Sequence, residues 1–275
     1  VKSNVVQLAD KISDTIQKGD RCMLISENRP EWMISDLAIM LAGGITVPAY
    51  TTYVTRDYEY IINDCKPSLI IVSNDEQFNK IKNICEGSDY INKIISFEKL
   101  SQISSDKYLL FENIIKNKNN IEEFRININS LRSDPACIIY TSGTQGNPKG
   151  VILTHGGILS NCEGGYELLK PILENETRFL TWLPLSHSYE HAVQFIQIAV
   201  GAKVFYAESI DKLVKNMSEC SPHIMTAVPR FYQNLHQKIS STFNKAKGIK
   251  KILVDKTIQL GTKKFKKKKM SFQRR

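Results

Sequence analysis

The sequence predicts an α/β protein with largely parallel sheets flanked by helices. Three observations carry this. Short apolar runs alternate with segments of helical periodicity from residue 1 to about residue 97. One run, 68–73 (SLIIVS), is apolar almost without a break, as in a strand covered on both faces. Turn residues such as Lys18-Gly19-Asp20 and Gly43-Gly44 punctuate the pattern where one element must stop and the next begin.

Val5, Leu8, Ala9, Ile12 and Ile16 recur at helical spacing and predict an opening amphipathic helix. Residues 21–26 then form a strand. Asn28 reads as a cap ahead of Pro30, which suits the first turn of a helix over 30–42. A strand over 45–50 follows, then a helix over 56–64, the strand 68–73, a helix over 76–86 and a strand over 93–97. Residues 101–133 are rich in Asn, Lys and Ile with weak periodicity and read as a surface connection. Strands and helices alternate again up to about residue 238, and the Lys-rich remainder reads as helical. Three parts follow: 1–133, 134–238 and 239–275.

The 275 residues, 42% of them hydrophobic, suffice to bury a real core. Most of the +9 net charge comes from Lys263, Lys264, Lys266, Lys267, Lys268, Lys269, Arg274 and Arg275. Such an end is a solvated helix or a contact for an anionic membrane surface. No aromatic-rich motif accompanies it, so no nucleic acid is expected. Cys22, Cys65, Cys85, Cys137, Cys162 and Cys220 contain no CxxC pair, which argues against zinc and for reduced thiols. There is no signal peptide and no run apolar enough to span a bilayer. The expected location is cytoplasmic, with peripheral membrane contact through 263–275. The chain starts at Val1 and ends in a basic run, which suggests a piece of a longer protein.

The chemistry concentrates in residues 141–150, TSGTQGNPKG. A β-prone run, 136–140, leads in, and 151–154 leads out as another strand. Gly143, Gly146 and Gly150 allow the backbone to approach an anion and to reach positive φ. Successive N–H groups can then point at phosphate oxygens. Thr141, Ser142 and Thr144 add hydroxyls, Gln145 an amide and Lys149 a positive charge, with Pro148 stiffening the approach. A plain hairpin turn does not need three hydroxyls and a lysine together. Walker A is excluded, because there Gly-Lys is followed by Ser or Thr and a helix, whereas Lys149 precedes Gly150 and a strand. The kinase loop is excluded by glycine spacing.

The stretch YTSGTQGNPKGV resembles the signature loop of the adenylate-forming superfamily, which includes acyl-CoA synthetases, peptide-synthetase adenylation domains and luciferases. Residues 25–50 (ISENRPEWMISDLAIMLAGGITVPAY) resemble a core motif of these enzymes, and 181–191 (TWLPLSHSYEH) another. Residues 227–235 (AVPRFYQNL) and the Lys-rich helix after Ile239 resemble the long-chain fatty acyl-CoA synthetase branch. The resemblance implies part of the large N-terminal domain of such a fold. It also implies ATP, Mg2+, coenzyme A and a fatty acid as partners. Thr141, Ser142, Gly143, Thr144, Gln145, Gly146 and Lys149 would embrace the ATP phosphates, with Thr144 a candidate near the metal. His187, Glu190 and His191 would line the acyl and adenylate pocket, with His187 making polar contact with the carboxylate or acyl-phosphate rather than moving a proton. Some relatives carry a gating aromatic near position 191, where this chain has His191. Trp182 is expected to pack in the core, Arg29 and Tyr50 to support structure, and Arg230 to be a surface arginine.

The resemblance implies further parts beyond Arg230: an aromatic-Gly-x-Thr-Glu segment, an Asp for the ribose, and a mobile domain with a catalytic lysine. None is present, so this chain alone is not expected to be a competent synthetase. Another acyl-adenylating ligase, or a shortened non-catalytic nucleotide-binding or scaffold protein, are the alternatives.

Overall fold

The computed structural model describes residues 1–101, 106–116, 130–141, 147–245 and 247–272, with side chains as far as residue 266. It divides into two compact units, Val1–Thr226 and Ala227–Arg275.

In the first unit, helix α1 (Lys2–Ser13) buries Val5, Leu8, Ala9 and Ile12, the face its periodicity predicts. Ile16 is buried just beyond the helix end. Strand β1 (Arg21–Ile25) follows, then α2 (Pro30–Leu41), with proline at its start. Gly43, at φ +83°, takes the left-handed conformation that ends α2, and its N–H reaches Met40 O at 3.1 Å. Strand β2 (Ile45–Ala49) is buried throughout. Helix α3 (Thr55–Cys65) leads to β3 (Leu69–Val72), also buried throughout. Asn74 caps α4 (Asp75–Glu86) by accepting the Gln77 N–H at 3.1 Å, and β4 (Lys93–Ser96) follows. Where the sequence suggested only a connection, the structure forms a short strand β5 (Tyr108–Leu110) and helix α5 (Phe111–Lys116). Phe111 and Ile114 are buried there, two anchors too few to show as periodicity. Strands β6 (Pro135–Thr141) and β7 (Lys149–Thr154) flank the glycine-rich loop.

These seven strands form one sheet in the order β5-β4-β3-β1-β2-β6-β7. All neighbouring pairs are parallel except the antiparallel β6–β7 pair at the edge. Alternate residues feed opposite faces, as the pleat requires. Cys22, Leu24, Leu69, Ile71 and Ile95 join α1 and α2 in one core. Met23, Ile25, Ile70, Val72 and Ile94 join α3 and α4 in the other.

Helix α6 (His155–Leu169) starts at Thr154, whose Oγ1 accepts the Gly157 N–H at 3.1 Å. A second, all-parallel sheet holds β8 (Arg178–Thr181), β9 (Lys203–Tyr206) and β10 (Ile224–Met225), in the order β10-β8-β9. Helix α7 (Ser188–Ala199) connects β8 to β9, and α8 (Leu213–Cys220) connects β9 to β10. The second unit contains α9 (Pro229–Asn244) and the Lys-rich α10 (Ile249–Phe272). Lys263, Lys264 and Lys266 are exposed on α10. Among the described residues no helix is long and apolar enough to cross a membrane. All six cysteines are free, and burial pushes the Cys65, Cys85 and Cys137 thiols up to about 12.

Candidate functional site

Ligands of open parallel sheets gather beyond the carboxyl ends of the strands, where the strand order changes direction. In the large sheet the chain goes from β1 to β2 on one side and to β3 on the other. In the small sheet β8 has β9 on one side and β10 on the other. The carboxyl end of β1 leads to Asn28, and that of β8 leads to the segment 182–187.

These two switch points are joined by one side chain. Asn28 Nδ2 donates to Leu183 O at 2.6 Å, and Asn28 Oδ1 accepts the Leu185 N–H at 3.0 Å. Asn28 is therefore not the cap of α2. That position belongs to Arg29, whose backbone is extended and whose side chain pairs with Glu31 and Glu98, both at 2.9 Å. Arg29 also lies over the Phe97 ring, 5.3 Å from its centroid. The Tyr50 ring meets Tyr53 edge-on at 5.3 Å, and Tyr50 O accepts from Tyr58 OH at 2.7 Å.

Beyond Leu185 the chain turns: the His187 N–H donates to Pro184 O at 2.9 Å. His187 is exposed at the start of α7, and its Nδ1 accepts the Tyr189 N–H at 3.2 Å. A neutral imidazole that accepts at Nδ1 carries its hydrogen on Nε2. His187 thus turns an N–H donor outward from a helix start, where partial positive charge already favours an anion.

Glu190 and His191 point the other way, into the interior. Glu190 Oε2 accepts from Thr226 Oγ1 at 2.6 Å, while Trp182 Nε1 donates to Thr226 O at 2.6 Å. Thr226 follows β10, so this pair ties the carboxyl end of one strand to the helix after another. Burial raises the Glu190 carboxyl to about 7 against the lowering effect of hydrogen bonds from Thr226 and Thr181. Burial, reinforced by the neighbouring Glu190 and Glu31 charges, pushes Tyr206 up to about 12. His191 Nε2 lies 2.8 Å from Asp36 Oδ2, with its ring edge-on to Trp32 and beside Phe195. Gln197 Nε2 donates to Thr181 Oγ1 at 2.9 Å. The inner face of α7 is thus a row of buried polar side chains: Glu190, His191, Gln194 and Gln197.

At the glycine-rich loop, the β6–β7 pair sets Thr141 directly opposite Lys149. Both are exposed, one at each foot of the loop. Ser142, Gly143, Thr144, Gln145 and Gly146 lie outside the described residues. Gly150 has a packing role. A Cβ there would stand 2.8 Å from Ile138 Cγ2 and 3.3 Å from Tyr140 Cζ. The strand–loop–strand setting agrees with the sequence reading, and because β6 runs parallel to β2 and β2 to β1, Thr141 ends β6 at the same carboxyl end of the sheet that leads to Asn28. Asn28, Thr226, Thr181 and Asp36 were missed as members of this constellation. Only Asn28 carried a signal, an amide just past a buried strand, and it reads equally as a helix cap.

The comparisons agree with this architecture. The family pattern described as AMP-binding enzyme matches residues 1–270. Fatty acyl-CoA synthetase A of Dictyostelium discoideum is 31% identical over 245 residues, covering 86% of this chain and 36% of its own length. Long chain acyl-CoA synthetase 3 of Arabidopsis thaliana is 30% identical over 260 residues, covering 87% and 38%. The inhibitor-bound N-terminal domain of FACL13 from Mycobacterium tuberculosis superposes with a TM-score of 0.70 at 21% identity, covering 86% of this chain and 56% of that one. The chain spans between a third and two-fifths of the length of these two synthetases. Matched along nearly its whole length, the chain belongs to the AMP-binding enzyme family, and its curated relatives include long-chain acyl-CoA synthetases.

Proposed function

We propose that this chain supplies the phosphate loop and part of the acyl pocket of a long-chain fatty acid–CoA ligase that works through an acyl-adenylate. The observation that carries the reading is the hairpin with Thr141 opposite Lys149 at the feet of TSGTQGNPKG, in a member of the AMP-binding family. In this reading the fatty carboxylate attacks the α-phosphorus of ATP in line and displaces pyrophosphate. The thiol of coenzyme A then attacks the acyl carbon and displaces AMP. Lys149 offsets charge on the leaving pyrophosphate, and the loop N–H groups and hydroxyls from 141–146 hold the phosphates.

His187 presents Nε2–H to the carboxylate or the acyl-phosphate. It binds and orients, and the proton stays on the ring. Glu190 and His191 shape the inner wall behind it. Among the described residues no group of three His, Cys, Asp or Glu side chains could hold a metal ion. Mg2+ would be held chiefly by the ATP phosphates, with Thr144 the candidate protein contact, and would offset their charge. The Lys-rich end of α10 is a candidate contact for an anionic membrane, and failure to sediment with anionic vesicles at low salt would remove it.

Radiolabelled pyrophosphate exchange into ATP tests the reading on the whole protein. Label should enter ATP with palmitate or octanoate and not with amino acids. An amino-acid-dependent exchange would assign the chain to another adenylating class, and no exchange with any fatty acid would overturn the proposal.

A further inference from the structure

Among the described residues, three side chains of the segment 182–191 bond to residues outside it: Trp182 and Glu190 to Thr226, and His191 to Asp36. The contact with Asn28 differs in kind. Asn28 grips backbone, not side chain, and it does so with both ends of its amide. Between the two gripped residues sits Pro184, which has no N–H to offer a strand partner. Residues 183–185 therefore belong to neither sheet, and the Asn28 amide takes the place that a neighbouring strand would fill. Leu185 is 1% exposed and packs into the α1–α2 core of the large sheet. The register of this short stretch decides both how Leu185 seats and where the next turn points.

That turn carries the outward donor. The His187 N–H bonds to Pro184 O, the carbonyl lying between the two atoms that Asn28 holds. The His187 ring is fixed in turn by the Tyr189 N–H. A displacement of 183–185 passes to His187 through one turn with little slack.

We propose that Asn28 is a positioning residue for the acyl-side turn: its amide fixes Leu183 and Leu185 so that His187 Nε2–H stands at the joined carboxyl ends of the two sheets. This rests on the acyl-adenylate reading above for its catalytic consequence, and on the hydrogen bonds alone for its structural part. The side chain touches no substrate. It acts through His187.

The test uses Asn28→Asp in the whole protein. Asp keeps the size of Asn and the acceptor for the Leu185 N–H, but it sets a second oxygen against Leu183 O in place of a donor. Fatty-acid-dependent pyrophosphate exchange should show kcat/KM for the fatty acid falling about tenfold, with KM for ATP within about twofold of wild type. The control is Ile81→Val, a trimmed core residue on α4, which lowers the thermal midpoint without touching the turn. It should leave kcat/KM for the fatty acid unchanged. Amide hydrogen exchange gives a readout free of activity. The Leu185 amide should exchange at least about tenfold faster in Asn28→Asp, while the amides of 69–72 stay protected. An unchanged Leu185 exchange rate, or a fatty-acid kcat/KM that falls no more than in Ile81→Val, would overturn the proposal. A wild-type protein without exchange activity would overturn the functional reading instead. The amide exchange then decides alone whether Asn28 holds the turn.

Discussion

Asp36 on α2 and His191 on α7 meet in the interior, Oδ2 to Nε2 at 2.8 Å, with side chains 0% and 2% exposed. The other Asp36 oxygen, Oδ1, has no hydrogen-bond partner among the described residues. The pair joins a helix of the large sheet to the helix that starts at His187. It is flanked by aromatic rings, Trp32 at 5.3 Å and Phe195 at 5.0 Å from the imidazole. Such a site gives a buried acid no water to fall back on.

Removing one partner should therefore cost more than removing both. His191→Phe is expected to destabilise the protein by about 3–5 kcal/mol, because Asp36 is left buried and unpaired. Asp36→Ala combined with His191→Phe should recover part of that loss. Urea midpoints of the two variants and wild type measure it. A double variant less stable than His191→Phe alone would show that the pair is not the source of the effect.

Glu190 makes stability depend on pH. Its carboxyl sits at about 7 when folded, above the ordinary carboxylate range, because burial disfavours its charge. The folded state then holds the proton over a window where the unfolded state has lost it. The contribution is fully present below the unfolded value of about 4.3 and is lost as pH rises through about 7. Glu190→Gln removes this titration. Relative to wild type it should gain on the order of 3 kcal/mol between pH 4 and pH 8, nearly all of it in that window. Stability curves measured in parallel at both ends check this, and a constant difference between the two proteins would refute it.

Lys149 stands exposed opposite Thr141, and in the proposed function it is the cation that reaches the outer phosphates of the nucleotide. Lys149→Ala should raise KM for ATP about tenfold in pyrophosphate exchange and leave AMP binding, measured by calorimetry, within about twofold. Equal loss of ATP and AMP binding would mean that the lysine supports the hairpin rather than the phosphates.

The strands were legible because burial on both faces leaves a short apolar run, rich in β-branched residues and bounded by turn residues. Residues 68–73 announced β3, and 136–140 announced β6. Helix ends were legible wherever the backbone needs a particular residue, as at Pro30 and Gly43. Helix α5 was not, because Phe111 and Ile114 alone anchor it in polar surroundings. The inner face of α7 was not, because Glu190, Gln194 and Gln197 look like a solvated face until their neighbours are known. Asn28 was misread for a related reason. A local pattern cannot separate a cap from a bond to a residue 155 positions away.

Gly164 and Gly165 sit side by side in α6, where both would be expected to weaken a helix. Only one has a reason to be glycine. A Cβ on Gly164 would meet nothing within 4 Å, and the residue is exposed. A Cβ on Gly165 would stand 2.6 Å from Ile196 Cγ1 on α7 and closer still to its Cδ1. Gly164→Ala should therefore stabilise the protein by about 0.5–1 kcal/mol, by helix propensity alone. Gly165→Ala should destabilise it by about 1–3 kcal/mol, because α6 and α7 must separate. Since α7 begins at His187, that separation should also lower fatty-acid-dependent exchange. Ile196→Ala in the Gly165→Ala background opens the space that the new methyl needs, so the double variant should lose less than the sum of the two single losses. Denaturation midpoints for the four variants decide the matter. Equal effects at 164 and 165, or strictly additive losses at 165 and 196, would show that the helices are not in contact at this glycine.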